Sequence, residues 1–178
     1  MSSEPQPGDA AFEALLADVW MPLQRYLRRR ADVATAEDVL GDVLLVLWRR
    51  RGDIPPEAPL PWCYGVARGC LANAVRGEHR RLRLVSRLET EREPALAIDL
   101  DPTLTEALGA MRPADRELLR LWAWEELAPS EIATALGITA NAASIRLHRA
   151  LKRLRAAMGK DASAPGHRPG RQGEEAPR

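Results

Sequence analysis

Cysteine is scarce in this chain. Its 178 residues hold two, Cys63 and Cys70, too few for a disulfide framework. With His79, His148 and His167 scattered along the sequence, they offer no metal-ligand spacing either. Long apolar runs are missing as well. The N-terminal "MSSEPQPGDA" has no signal core, and no stretch reaches the roughly 18 consecutive apolar residues of a membrane span. Strand-like alternation is absent. No nucleophile–base set, phosphate loop or metal cluster can be assembled. These absences lead us to expect a cytoplasmic protein with reduced thiols, no membrane insertion, no catalytic or metal residues and no cofactor.

Net charge is also nearly absent, since 26 Lys and Arg face 25 Asp and Glu. The charges are nevertheless segregated. Arg76, Arg80, Arg81, Arg83 and Arg87 stand against Glu78 alone, and Glu89, Glu91, Glu93, Asp99 and Asp101 against Arg92 alone. Arg146, Arg149, Lys152, Arg153 and Arg155 then follow without an acid between them. Solvated helix faces would explain either basic run by itself. Two of them flanking an acidic segment fit two polyanion-facing surfaces better.

What is present is helical periodicity. Phe12, Leu15, Leu16, Val19, Trp20, Leu23 and Leu27 form one apolar face. A second helix is expected to be capped by Thr35, with Glu37 and Asp38 in its first turn and Val39, Leu40, Val43, Leu44, Leu47 and Trp48 inward. The prolines of "RGDIPPEAPLP" end it. A third helix starts near Trp62, with Cys63, Val66, Ala67, Cys70, Leu71 and Ala74 as core and Gly65, Arg68, Gly69, Ala72, Asn73 and Arg76 outward. The reading is all-α, with two small helical domains joined by a flexible acidic linker. The expected boundaries are a disordered N-terminus at 1–10, a first domain at 11–86, a linker at 87–103, a second domain at 104–158 and a disordered tail at 159–178.

The second domain contains the most specific local signal. Pro113 and Pro129 suit helix starts, and Gly137 suits a left-handed helix end. Ile138 plugs the corner and Thr139 caps the last helix. On that helix Ala140, Ala143, Leu147, Ala150, Leu151, Leu154 and Met158 share one face, and Asn141, Ala142, Ile145, His148, Arg149 and Lys152 share the other. Together these make a helix-turn-helix whose second helix enters the major groove. Asn141 suits adenine, Ile145 a thymine methyl, and Arg146 or Arg149 phosphate or guanine. An ordinary helical hairpin with an exposed basic helix explains fewer of these coincidences.

"TAEDVLGDVLLVLW" and "PWCYGVARGCLANAVRGEHRRLR" resemble region 2 of bacterial extracytoplasmic-function sigma factors, group 4 of the sigma-70 family. "MRPADRELLRLWAWEELAPSEIATALGITANAASIRLHRALKRLR" resembles their region 4. The resemblance implies an alternative sigma factor that binds RNA polymerase core and directs promoter-specific initiation. It assigns core binding, through the β′ clamp coiled coil, to Glu37, Asp38, Asp42, Arg49 and Arg50. It assigns −10 DNA to Trp62, Arg68, Gly69, Asn73, Arg76, Arg80 and Arg81, beside a basic single-strand groove. It assigns −35 DNA to Asn141, Ser144, Ile145, Arg146, His148, Arg149 and Lys152, with region 4 also touching the β flap. The acidic linker would imitate nucleic acid on its way through the polymerase. Anti-sigma factors are common in the family, so the resemblance admits one as a partner.

The sequence departs from the family pattern at informative places. Gly41 and Leu45 replace a frequent Gln and Phe, and Gly69 replaces a frequent Asn that selects a −10 base. Base choice is therefore expected from the preceding loop or from Asn73. Glu126 replaces a usual Gly and Ala128 a usual capping Ser. Ala143, Ser144 and Ile145 stand where Val, Lys and a small polar residue are common. Two other readings stay open: a stand-alone helix-turn-helix regulator, and a sigma-like adaptor that binds polymerase or a partner without reading promoters.

Overall fold

A computed structural model describes residues 7–85 and 101–161. The acids from Glu89 to Asp99, the outermost N-terminal residues and most of the tail lie outside the described residues. Among the described residues there are seven α-helices and no strand.

Helix α1 (Pro7–Arg28) begins within the segment expected to be disordered, with Pro7 at its start, where a missing N–H costs nothing. It buries Phe12, Val19, Leu23, Tyr26 and Leu27. Helix α2 (Val33–Arg49) starts two residues before Thr35, so the expected cap is corrected. Asp32 is the N-cap: its Oδ1 accepts from the Thr35 N–H at 3.0 Å and its Oδ2 from the Thr35 hydroxyl at 2.7 Å. Asp wins because its carboxylate reaches the free amides of the first turn while its own backbone stays extended. Those bonds hold the Asp32 carboxyl below its usual range. Glu37 and Asp38 consequently fall beyond the first turn, so neither serves the helix start.

Ala36, Val39, Leu40, Val43 and Leu47 pack α2 into the bundle, and the Trp48 ring meets Phe12 edge-on at 5.2 Å. A 3-10 turn (Arg51–Asp53) and the following prolines lead to α3 (Pro59–Val85), which starts three residues before Trp62. Cys63, Tyr64 and Ala67 are buried; Val66, Cys70, Leu71 and Ala74 line the same core from its edge. Burial pushes the Cys63 thiol up to about 12, consistent with packing rather than reactivity.

Helix α4 (Pro102–Gly109) is capped by Asp101, whose Oδ1 accepts from the amides of Thr103 and Leu104. Helices α5 (Pro113–Ala123), α6 (Pro129–Leu136) and α7 (Ala140–Asp161) complete the second half. Gly137 ends α6 at φ 65°, and the Thr139 hydroxyl accepts from the Ala142 amide at 3.2 Å. Helix α4 thus starts inside the expected linker, and α7 runs slightly into the expected tail.

The two halves are not independent bodies in this structure. One hydrophobic cluster runs from Val19, Leu23 and Tyr64 to Leu118, Ile132 and Leu147. Gly65, expected on the outward face of α3, instead meets α6. A Cβ there would come within 2.9 Å of the Ala135 carbonyl oxygen, so the close approach of these helices depends on its absence.

Candidate nucleic-acid and polymerase interface

Helix α7 displays its polar face to solvent. Asn141, Ser144, Ile145, Arg146, His148, Arg149 and Lys152 are all exposed, while Ala143, Leu147 and Ala150 turn inward. At 100° per residue Asn141, Ser144, Ile145, His148 and Lys152 form one stripe, with Arg149 on its edge and Arg146 on the shoulder. Ile145 is 42% exposed, so an apolar side chain stands in the middle of a polar face. The Ser144 hydroxyl donates to the Ala140 carbonyl at 3.0 Å. Arg153, part of the same basic run, is paired with Asp115 on α5 and braces the helix rather than extending the face.

The turns that aim α7 carry two imperfections. Glu126 adopts φ 56°, a left-handed conformation that glycine takes without steric cost. At the start of α6, the Glu131 carboxylate accepts from the Ala128 amide at 2.8 Å. Ala128 has no side-chain acceptor to return the bond, so only half of a capping box forms. The helix-turn-helix is built, with strain and one missing hydrogen bond in its approach.

On α2, Asp38, Gly41, Asp42, Leu45 and Arg49 share an exposed stripe, with Leu45 54% exposed. Glu37 lies beside it and faces Arg28 at 3.8 Å. A stripe that mixes two carboxylates, an arginine and an apolar side chain is suited to lying along another helix. Arg50, also exposed, makes contacts of its own. Its Nε donates to Asp53 at 2.9 Å and its guanidinium lies 5.0 Å from the Trp62 ring centre. The structure therefore joins Arg50, read as a core-binding residue, to Trp62, read as a −10 residue.

Along α3, Trp62, Gly69, Asn73, Arg76 and Arg80 recur on one side, whereas Arg68 and Arg81 flank it. All but the half-buried Trp62 are exposed. The Asn73 Oδ1 accepts from the Arg76 guanidinium, and Arg81 pairs loosely with Glu78 at 3.4 Å. Nothing lies within 4 Å of a Cβ at Gly69, so its small size answers no packing need. The face is basic and open, with one aromatic at its head.

A further cluster escaped the sequence reading. Arg30, 6% exposed, lies between the halves. Its Nε donates to both Glu117 oxygens at 3.2 Å, and its Nη1 donates to Glu125 Oε1 at 2.9 Å and to the Tyr26 carbonyl at 3.0 Å. Arg29 Nη1 donates to the Trp124 carbonyl and to Glu125 Oε2, and the Tyr26 hydroxyl to Glu117 at 2.9 Å. The Arg30 guanidinium also stacks 3.6 Å from the Tyr26 ring centre. Burial opposes the charge on Arg30, but the carboxylates of Glu117 and Glu125 outweigh it, so it holds its proton more firmly than in water. Burial and then Glu117 push the Tyr26 phenol well above its ordinary range. The partners are separated by 87 to 96 residues, so only the sequence runs "RRR" and "WAWEE" hint at them.

Among the described residues no helix is long and apolar enough to cross a membrane, and no three His, Cys, Asp or Glu side chains gather as a metal site. Residues 103–154 match the family described as Sigma-70, region 4. The chain is 33% identical over 157 residues to RNA polymerase sigma factor CarQ of Myxococcus xanthus, covering 84% of this chain and 90% of that one. Its fold is similar to the sigma factor RpoE, solved with the anti-sigma factor NepR from Bartonella quintana, at a TM-score of 0.61 and 20% identity. That likeness covers 85% of this chain and 98% of RpoE. It is also similar to CnrH, solved with the cytosolic domain of CnrY, at a TM-score of 0.57 and 22% identity, over 87% of this chain and 90% of CnrH.

Proposed function

The chain belongs to the extracytoplasmic-function sigma factors of the sigma-70 family and is an alternative sigma factor directing transcription initiation; from that premise we propose which of its faces carries each step. Helix α2 docks on RNA polymerase core, at the β′ clamp coiled coil, through Asp38, Asp42 and Arg49, with Glu37 at the edge. Arg50 acts instead with Trp62. The guanidinium–indole pair forms the head of the −10 groove, followed by Gly69, Asn73, Arg76 and Arg80, with Arg68, Arg81 and their charges alongside for phosphates.

Helix α7 reads the −35 element. Asn141, Ser144 and Ile145 lie early on the helix, where groove-facing side chains meet base edges. Arg146, His148, Arg149 and Lys152 follow where the backbone phosphates run. Region 4 reaches the β flap in the same complex. The protein works in the cytoplasm, and an anti-sigma factor holds it inactive, by analogy with RpoE, which is solved with the anti-sigma factor NepR. The observation that carries this reading is the exposure of the α7 face on a helix-turn-helix whose opposite side is packed through Ala143, Leu147 and Ala150, although Ala140 and Met158, expected on that side, are exposed.

Run-off transcription with purified core polymerase and genomic promoter fragments tests it. We expect promoter-specific transcripts that disappear with Asp38→Arg, through weaker core binding and with the fold intact. Tight core binding without specific transcripts would favour the adaptor reading. Sequence-specific binding by the free protein alone would favour the stand-alone regulator.

A further inference from the structure

We propose that Ile145 reads one chemical group of promoter DNA, the C5-methyl of a pyrimidine, so that −35 recognition by this protein depends on methyl groups in the major groove. The inference rests on the docking of α7 given above and names what the apolar member of its stripe takes. Thymine carries that methyl in ordinary DNA and 5-methylcytosine carries it after modification; Ile145 meets the same group on either.

Nothing in the fold calls for isoleucine at this position. Ala143, Leu147 and Ala150 join the hydrophobic cluster, whereas Ile145 lies outside it, exposed. Isoleucine also forms helix less readily than alanine, because its branched side chain is restricted against the preceding turn. The same stiffness suits it to a contact, since a side chain held in one rotamer loses little freedom on binding.

The approach to it is open. Ala140, Asn141, Ala142, Ala143 and Ser144 precede Ile145 on α7. Apart from Asn141 all are small, so the first turn can lie close to the base edges and Ile145 is the first bulky apolar side chain to meet them. Asn141 stands one turn earlier, about 6 Å along the axis, and Arg149 one turn later. The first suits a base edge and the second a phosphate, which sets Ile145 between two polar anchors.

The groove then selects the partner. Its base edges present N7, O6, N6, N4 and O4, all hydrogen-bonding, and one apolar group, the pyrimidine C5-methyl. A branched alkyl side chain pressed on any of the polar groups displaces their water and returns no bond. Against the methyl both surfaces leave water and no bond is lost. Burying one such carbon is worth about fourfold in affinity.

Run-off transcription by core polymerase with limiting amounts of the full chain tests this, on promoter fragments altered at one −35 base at a time by a single methyl. Uracil for thymine removes the group, and 5-methylcytosine for cytosine adds it. At one position, on either strand, the wild type should favour the methyl-bearing base about fourfold, and Ile145→Ala should bring that ratio to about one. The side chain is exposed and outside the core, so the variant keeps its fold, which circular dichroism checks. A response to uracil identifies thymine as the source of the methyl, and a response to 5-methylcytosine identifies the modified base; either supports the proposal. No methyl response at any −35 position, or a ratio that survives Ile145→Ala, overturns it. So does an equal loss with Ile145→Ala on every template, which would put Ile145 against protein instead of a base. Arg149→Ala separates the proposal from the reading beneath it. Methyl-insensitive binding whose salt slope still changes with Arg149→Ala sinks the methyl contact alone; if neither variant alters promoter binding, α7 does not read the −35 element and both fall.

Discussion

Arg30 Nη1 and Glu125 Oε1 lie 2.9 Å apart, and each of the two side chains is only 3% exposed. Arg28 and Glu37, at 3.8 Å, are 50% and 61% exposed. The two pairs differ little in sequence character and greatly in surroundings. Removing one member of a buried pair strands the other without water, at about 3–5 kcal/mol, partly relieved here if the halves separate. Arg30→Ala should therefore lower unfolding stability by about 2–4 kcal/mol in urea titrations. Arg28→Ala should cost below about 1 kcal/mol; equal losses would mean the buried cluster contributes nothing special.

The approach to α6 can be improved. Glu126→Gly removes the penalty of a side chain at φ 56°, about 1 kcal/mol after the greater freedom of glycine in the unfolded chain is counted. Ala128→Ser supplies the acceptor missing opposite Glu131, for about 0.5–2 kcal/mol. Thermal unfolding should show both substitutions raising the midpoint, and the double variant raising it further. A falling midpoint with Glu126→Gly would show that its carboxylate matters more than its backbone.

Arg149 and Arg153 make a controlled pair on α7. Arg149 is exposed on the edge of the reading stripe, while Arg153 is held by Asp115. Arg149→Ala should flatten the salt dependence of promoter binding by about one unit of slope, the signature of one lost phosphate contact. Arg153→Ala should leave the slope unchanged and reduce stability instead. Identical slopes for Arg149→Ala and the wild type would remove Arg149 from the interface.

The thiols should differ in reactivity. Burial raises both, but Cys63 is pushed up to about 12 and is fully enclosed, whereas Cys70 is partly exposed. Since the thiolate is the reacting form, alkylation of the native protein at pH 8 should modify Cys70 slowly and Cys63 only after unfolding. Raising the pH should accelerate Cys70 long before Cys63. Equal rates in the native state would mean that α3 detaches from the bundle.

The fold was readable where the determinants are local. Periodic apolar residues, Pro113, Pro129, Gly137 and Thr139 specify their helices and turns within a few residues of themselves. The α2 start was misplaced because Asp32 and Thr35 are both plausible caps, and only the geometry shows Thr35 donating to Asp32. The face of α7 was likewise legible from its 3.6-residue period. Arg30, Glu117 and Glu125 were not, because nothing within a short window says which distant carboxylate a buried arginine meets. Gly65 is a second case: an outward position on an isolated helix becomes an interface once a second helix arrives. The functional assignments of individual residues in region 2 rest on the resemblance; Arg50 is exposed like Asp38, Asp42 and Arg49, and also lies beside Trp62.

The Ser144 hydroxyl spends its one proton on the Ala140 carbonyl. In the proposed complex, what it turns toward the groove is then a pair of lone pairs, with no donor behind them. A base set against it must supply the hydrogen itself, as adenine does through N6 and cytosine through N4, while guanine, through N7 and O6, and thymine, through O4, bring only further acceptors. In the proposed complex, a backbone bond kept inside the helix thus sets the polarity of what Ser144 offers DNA at that step.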